Sequence, residues 1–236
     1  MVKSVGMLSL VVLSLAGCGG GTSESPAEAA CQPRTVTFET GTDGPHGVTP
    51  VWPDGDAELA AAVADSFCST EWEFVEPDGT VRPWTARTVL PSDDAACIGG
   101  QLVEVLGADR AKELWLGVGP WSLLGFGLSN NYEERQIERA EAESLVDVFV
   151  ECSDQWKLLL ILSVTEGADT ISDNSATCVA DLIGDDQARL MLIGEMERAY
   201  DDPAQPDAQP FPELLEPLLA AYDECLTPAE LNSVDF

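Results

Sequence analysis

Ser92-Asp93-Asp94-Ala95-Ala96-Cys97-Ile98 and Asp173-Asn174-Ser175-Ala176-Thr177-Cys178-Val179 are two versions of one stretch. Each sets polar and acidic residues before a step of small residues into cysteine. Each then continues as an apolar pattern of helical period. A second pair of segments, Cys68-Ser69-Thr70-Glu71-Trp72 and Cys152-Ser153-Asp154-Gln155-Trp156, carries a different cysteine signature. The two kinds alternate along the chain. Cysteines near helix starts alternating with cysteines near helix ends predict a mainly α fold, a disulfide-braced helical repeat domain.

Upstream of these repeats the chain changes character. Met1-Val2-Lys3 is a short basic start, and Val5 to Leu15 is an apolar run. That run is too short to cross a bilayer as a helix, which takes about 20 residues. It ends in Leu15-Ala16-Gly17-Cys18, which resembles the lipobox of bacterial lipoproteins. The resemblance implies removal of residues 1–17 as a signal peptide and lipidation of Cys18, with residues 18–30 as a flexible tether. The implied location is the extracytoplasmic face of the cell membrane. A bacterial lipoprotein cysteine carries a diacylglyceryl group, and two or more chains hold a protein there stably where a single chain does not.

Setting Cys18 aside leaves six cysteines: Cys31, Cys68, Cys97, Cys152, Cys178 and Cys225. An even number in an exported chain reads as disulfides. None forms a CxxC, so zinc-knuckle and thioredoxin-type readings lose their main support. In an antiparallel helix hairpin the start of one helix lies beside the end of the next. That geometry favours Cys31–Cys68, Cys97–Cys152 and Cys178–Cys225. A rival pairing, Cys68–Cys97 with Cys152–Cys178, stays open at this stage.

Residues 31–91 are expected to hold loops and a small β-hairpin, and residues 92–236 the helical cysteine repeats. Thr35-Val36-Thr37-Phe38-Glu39 alternates as a short strand does. Trp72-Glu73-Phe74-Val75 and Val81-Arg82-Pro83-Trp84 flank a Pro77-Asp78-Gly79 turn, and Pro83 assigns the second run to a sheet edge. Asp56 is expected to cap a helix running to Cys68. Ser92 or Asp93 should cap the next, which Gly107 should end. A long helix is expected from about Tyr132 to Cys152, capped by Asn130 or Asn131. Lys157 to Val164 reads as a buried helix, although so short an apolar run also permits a strand. Helices are expected from Asp173, from Asp185 to about Tyr200, and from Pro212 to Cys225 with Pro217 in the first turn. Thr227-Pro228-Ala229-Glu230 is a capping box with proline at its first helical position.

The chain has 236 residues with 42 acids, 11 bases and a formal net charge of −31. Such a surface repels nucleic acid and anionic headgroups, and no nucleic-acid partner is expected. There is no GxSxG, P-loop, dinucleotide fingerprint or HExxH. The one histidine, His46, lies in a Gly- and Pro-rich loop and cannot form a histidine-based metal site. Asp54-Gly55-Asp56-Ala57-Glu58 and Glu166-Gly167-Ala168-Asp169 are acidic turns with some calcium character, and neither completes an EF-hand loop. Trp52, Trp72, Trp84 and Trp121 are candidates for a sugar-binding platform or for core packing. Neither Lys112 nor Lys157 carries the mark of a nucleophile. No catalytic residue, metal ligand or cofactor is assigned.

Ala95-Ala96-Cys97 and Ala176-Thr177-Cys178, with Phe149-Val150-Glu151-Cys152 and Tyr222-Asp223-Glu224-Cys225, resemble the secreted or lipid-anchored proteins of high-GC Gram-positive bacteria that bear cysteines in helical repeats. The resemblance spans roughly residues 92–233. It implies a small helical fold and export, and assigns no activity. The expected function is a non-enzymatic binding or structural module of the cell envelope, with an envelope protein or cell-wall partner. The alternatives are a lipoprotein that binds a small ligand, Ca²⁺ or a glycan, and a carboxylate-based hydrolase.

Overall fold

The computed structural model describes residues 31–40, 48–85, 90–114, 116, 118, 137–164, 171–198 and 212–232. The fold is mainly helical with one small sheet near the N-terminal side, as the cysteine pattern leads one to expect. Strands β1 (Arg34–Thr40) and β2 (Val48–Pro50) come first, then helix α1 (Asp56–Cys68). Strands β3 (Glu71–Val75) and β4 (Val81–Thr85) form the hairpin read from the Pro-Asp-Gly turn. The sheet order is β2-β1-β3-β4, with β1 and β3 parallel and both outer pairs antiparallel. Pro83 sits on the edge strand β4, where a missing N–H is tolerated.

Seven further helices follow among the described residues: α2 (Ser92–Leu106), α3 (Ala108–Glu113), α4 (Arg139–Cys152), α5 (Trp156–Val164), α6 (Asp173–Leu182), α7 (Asp185–Arg198) and α8 (Pro212–Cys225), before a final turn, α9 (Pro228–Leu231). The apolar run at 156–164 is therefore a helix rather than a strand.

The repeat is visible in what each helix buries. Relative to its cysteine, α2 buries Ala95, Ile98, Gly99 and Leu102, and the equivalent positions after α6 begins are Ala176, Val179, Ala180 and Ile183, all buried. The closing helices repeat too. The third and fourth residues before Cys68, Cys152 and Cys225 are buried in each case, as Ala64 and Asp65, Val148 and Phe149, Ala221 and Tyr222. One core runs from Leu59 in α1 to Leu226. A smaller core beneath the sheet holds Val36, Phe38, Trp72, Phe74 and Val118, and Trp52 packs against both.

The bridges are Cys31–Cys68, Cys97–Cys152 and Cys178–Cys225, with Cα separations of 5.0, 5.6 and 5.7 Å. The helix-hairpin pairing holds and the rival does not. α1 lies along α2, and Gly99 is what allows the approach: a Cβ there would lie 2.6 Å from the Ala64 nitrogen and would overlap the Ala60 carbonyl oxygen.

Several helix ends differ from expectation. Gly55, not Asp56, caps α1: Gly55 is extended, and Asp56 is already the first helical residue, placing its charge with that of Glu58 in the first turn. Pro91, not Ser92 or Asp93, precedes α2; the Asp94 carboxylate is engaged with Ser153 instead of the helix end. Gly107 ends α2 with a φ of 77°, as read. Helix α4 begins at Arg139, since Glu138 is extended; Ile137 is buried ahead of the helix, not on its face. It occupies the position of a hydrophobic staple to buried Ala142. Pro217 is the sixth residue of α8, beyond the first turn, so one helical hydrogen bond to the Glu213 carbonyl is absent there. The expected caps Asn130 and Asn131 lie outside the described residues.

Candidate functional site

Each disulfide is accompanied by a carboxylate that ties its neighbourhood together. Beside Cys31–Cys68, Asp65 is buried in α1, and its Oδ1 accepts from the Cys31 N–H at 2.7 Å. Its Oδ2 lies 3.3 Å from the Arg34 Nε. Burial raises the Asp65 carboxyl above its ordinary value, against the opposing pull of Arg34 and the backbone donors. Beside Cys97–Cys152, the Ser153 hydroxyl donates to Asp94 at 2.6 Å. Beside Cys178–Cys225, Glu230 accepts from the Ser172 N–H at 2.7 Å and the Ser175 hydroxyl at 3.1 Å. The same carboxylate accepts from the Thr227 N–H at 2.8 Å, completing the capping box. These donors, the Ser172 and Thr227 N–H groups first, pull the Glu230 carboxyl down to about 2.

Several basic side chains join elements. Arg110 of α3 grips Glu141 of α4 through two bonds of 2.8 Å, and Arg189 of α7 pairs with Asp147 of α4. The Lys157 ammonium bonds the Ile183 carbonyl at 3.1 Å and Asp185 at 3.0 Å, bridging the end of α6 and the start of α7. That is a structural role. Lys112 lies in α3.

Among the described residues, the candidate tryptophans do not form one platform. Trp72 is 1% exposed and stacks on Phe74, with its indole N–H donating to the Ser69 carbonyl at 3.2 Å. Trp84 is 45% exposed on the edge strand, and Phe74 lies between it and Phe38. Trp52 is half-buried between the two cores. Trp121, His46, Cys18 and the Glu166–Asp169 turn lie outside the described residues. Asp54, Asp56 and Glu58 stand at the start of α1, and no group of three or more potential metal ligands occurs among the described residues.

A concavity with a mixed chemical lining lies among the described residues where β1 loses its neighbour. β2 pairs only with Phe38–Thr40, and the last bond is from the Val51 N–H to the Thr37 carbonyl at 2.8 Å. Beyond it the chain turns away through Trp52 and Pro53. The gap is a cleft of about 260 Å³ lined by Arg34, Thr35, Val51, Trp52, Pro53 and Val118, among others. None of its lining residues is a carboxylate, which leaves the cleft without the paired acids that a hydrolase of the expected kind requires. Arg34 is the residue sequence reading missed. Its one available signal was a base opening an alternating strand in a chain with few bases. No known family model, curated protein or solved structure matches this chain.

Proposed function

We propose that this protein is an exported, lipid-anchored module of the bacterial cell envelope that binds a partner and has no catalytic role. The cysteine arithmetic carries the reading. Six of the seven cysteines close on one another in three bridges, and the seventh is Cys18, at the end of the apolar N-terminal run. Three structural disulfides belong in an oxidising compartment. An odd cysteine placed directly after an h-region is where lipid attachment would occur. The cleft beside β1 is the surface such a module would offer.

Cys18→Ala tests this reading. The expected result is loss of palmitate labelling and release of the protein from the membrane fraction into the medium. Unchanged labelling and retention would remove the anchor from the account.

A further inference from the structure

The cleft beside β1 has three chemically different walls. The first is backbone. A strand's hydrogen-bonding direction alternates residue by residue. The Thr37 carbonyl faces β2, so the N–H and carbonyl of Thr35 point the same way, past the end of β2 and into the cleft. The Thr35 side chain is on the outer face of the sheet, 3.5 Å from Glu73. Among the described residues, Thr35 therefore presents one open donor and one open acceptor on a strand edge. The second wall is apolar. Val51, Trp52 and Val118 supply it, and Pro50 and Pro53 have no N–H with which to satisfy the open edge. The third is Arg34. Its Nε is buried and makes no hydrogen bond among the described residues, although the Asp65 carboxylate balances its charge at 3.3 Å. That nitrogen is closed to a ligand, and the partly exposed outer edge of the guanidinium is what an incoming carboxylate would meet.

We propose that the cleft docks the C-terminal end of an extended peptide. The main chain would pair with Thr35, an aliphatic side chain would lie against Trp52 and Val51, and the terminal carboxylate would meet Arg34. Strand addition to an open edge and capture of a terminal carboxylate are both established modes of peptide recognition. The cleft, at about 260 Å³, is at the small end of ligand sites, which fits a chain end rather than a large molecule. This proposal deepens the binding-module reading above by giving its ligand a chemical class.

The test is calorimetric titration of the purified full-length protein in detergent with N-acetyl-Ala-Leu-Val, as the free acid and as the C-terminal amide. The acid should bind with a Kd of about 1 mM or tighter, and the amide at least about tenfold more weakly. Arg34→Lys keeps a charge beside Asp65 but loses the fork, and should weaken the acid by a similar factor. Thr35→Pro removes an N–H that the sheet does not use and should also weaken binding. Trp84→Ala, on the far edge strand, should leave it unchanged. Absence of binding by the acid, equal binding of acid and amide, or wild-type binding by Arg34→Lys would each overturn the proposal. The titration does not depend on Cys18. Binding with an unaltered membrane association in Cys18→Ala would sink the anchor and keep the cleft, and the reverse pair of results would do the opposite.

Discussion

Gly99 and Gly100 are adjacent in α2 and meet opposite surroundings. A Cβ at Gly99 would press on the α1 backbone at Ala60 and Ala64, whereas at Gly100 it would meet nothing within 4 Å. Alanine favours a helix over glycine by about 1 kcal/mol, and forced overpacking costs about 1–3 kcal/mol. Gly99→Ala should therefore lower stability, while Gly100→Ala should leave it unchanged or raise it slightly. Urea unfolding of the two variants reads the difference directly, and equal effects would contradict the close crossing of α1 and α2. Glu230 makes a second residue-scale prediction. Its carboxyl falls from an ordinary 4.5 to about 2 in the fold, so the native state favours its ionised form. The stability it contributes is present above about pH 4.5 and is lost as pH falls towards 2. The difference in unfolding free energy between wild type and Glu230→Gln should shrink over that window and be constant above it. Asp65 has the opposite sign. Its raised carboxyl means that ionisation costs the fold some stability, which returns as pH falls below the folded value.

At the scale of elements, the three bridges close loops of 37, 55 and 47 residues. Chain entropy makes each worth about 4 kcal/mol, because the dependence on loop length is logarithmic. Replacing each pair in turn by alanine should cost similar amounts, measured by denaturant midpoint and slope. A bridge whose removal costs nothing would mean that the packed helices hold that junction unaided. Much of this level was legible in the chain. The hairpin followed from a Pro-Asp-Gly turn between alternating runs. The end of α2 followed from Gly107, and the last turn from Thr227 and Glu230, because each depends on neighbours within four residues. The helix starts were less legible. Gly55 rather than Asp56 stands at the cap of α1, and Asp94 turns to Ser153, a residue far along the chain. Arg34 and the cleft were not legible, because an open strand edge exists only where β2 stops short. The parallel pairing of β1 with β3 likewise depends on how α1 packs between them in sequence.

Over the whole molecule, 42 acids stand against 11 bases, and several of those bases are held in ion pairs between elements. The surplus negative charge repels itself, and this repulsion opposes the compact state. Salt at about 0.5 M should screen it and raise the thermal midpoint relative to about 0.02 M. A midpoint that falls with added salt would mean that the specific ion pairs outweigh the general repulsion. Acidity also bears on the cleft, since the surrounding field disfavours an anionic chain end and leaves Arg34, Thr35 and Trp52 to supply the affinity at short range.

In the proposed function, a disulfide-braced domain is held outside the cell by a lipid on Cys18. Mass spectrometry of the protein taken from the membranes of its own cells, digested without reduction, tests it most directly. The account predicts a mature chain beginning at a lipid-modified Cys18, with the peptides of Cys31 and Cys68, Cys97 and Cys152, and Cys178 and Cys225 joined in pairs. An intact N-terminus with an unmodified Cys18, together with free thiols at the other six positions, would contradict it.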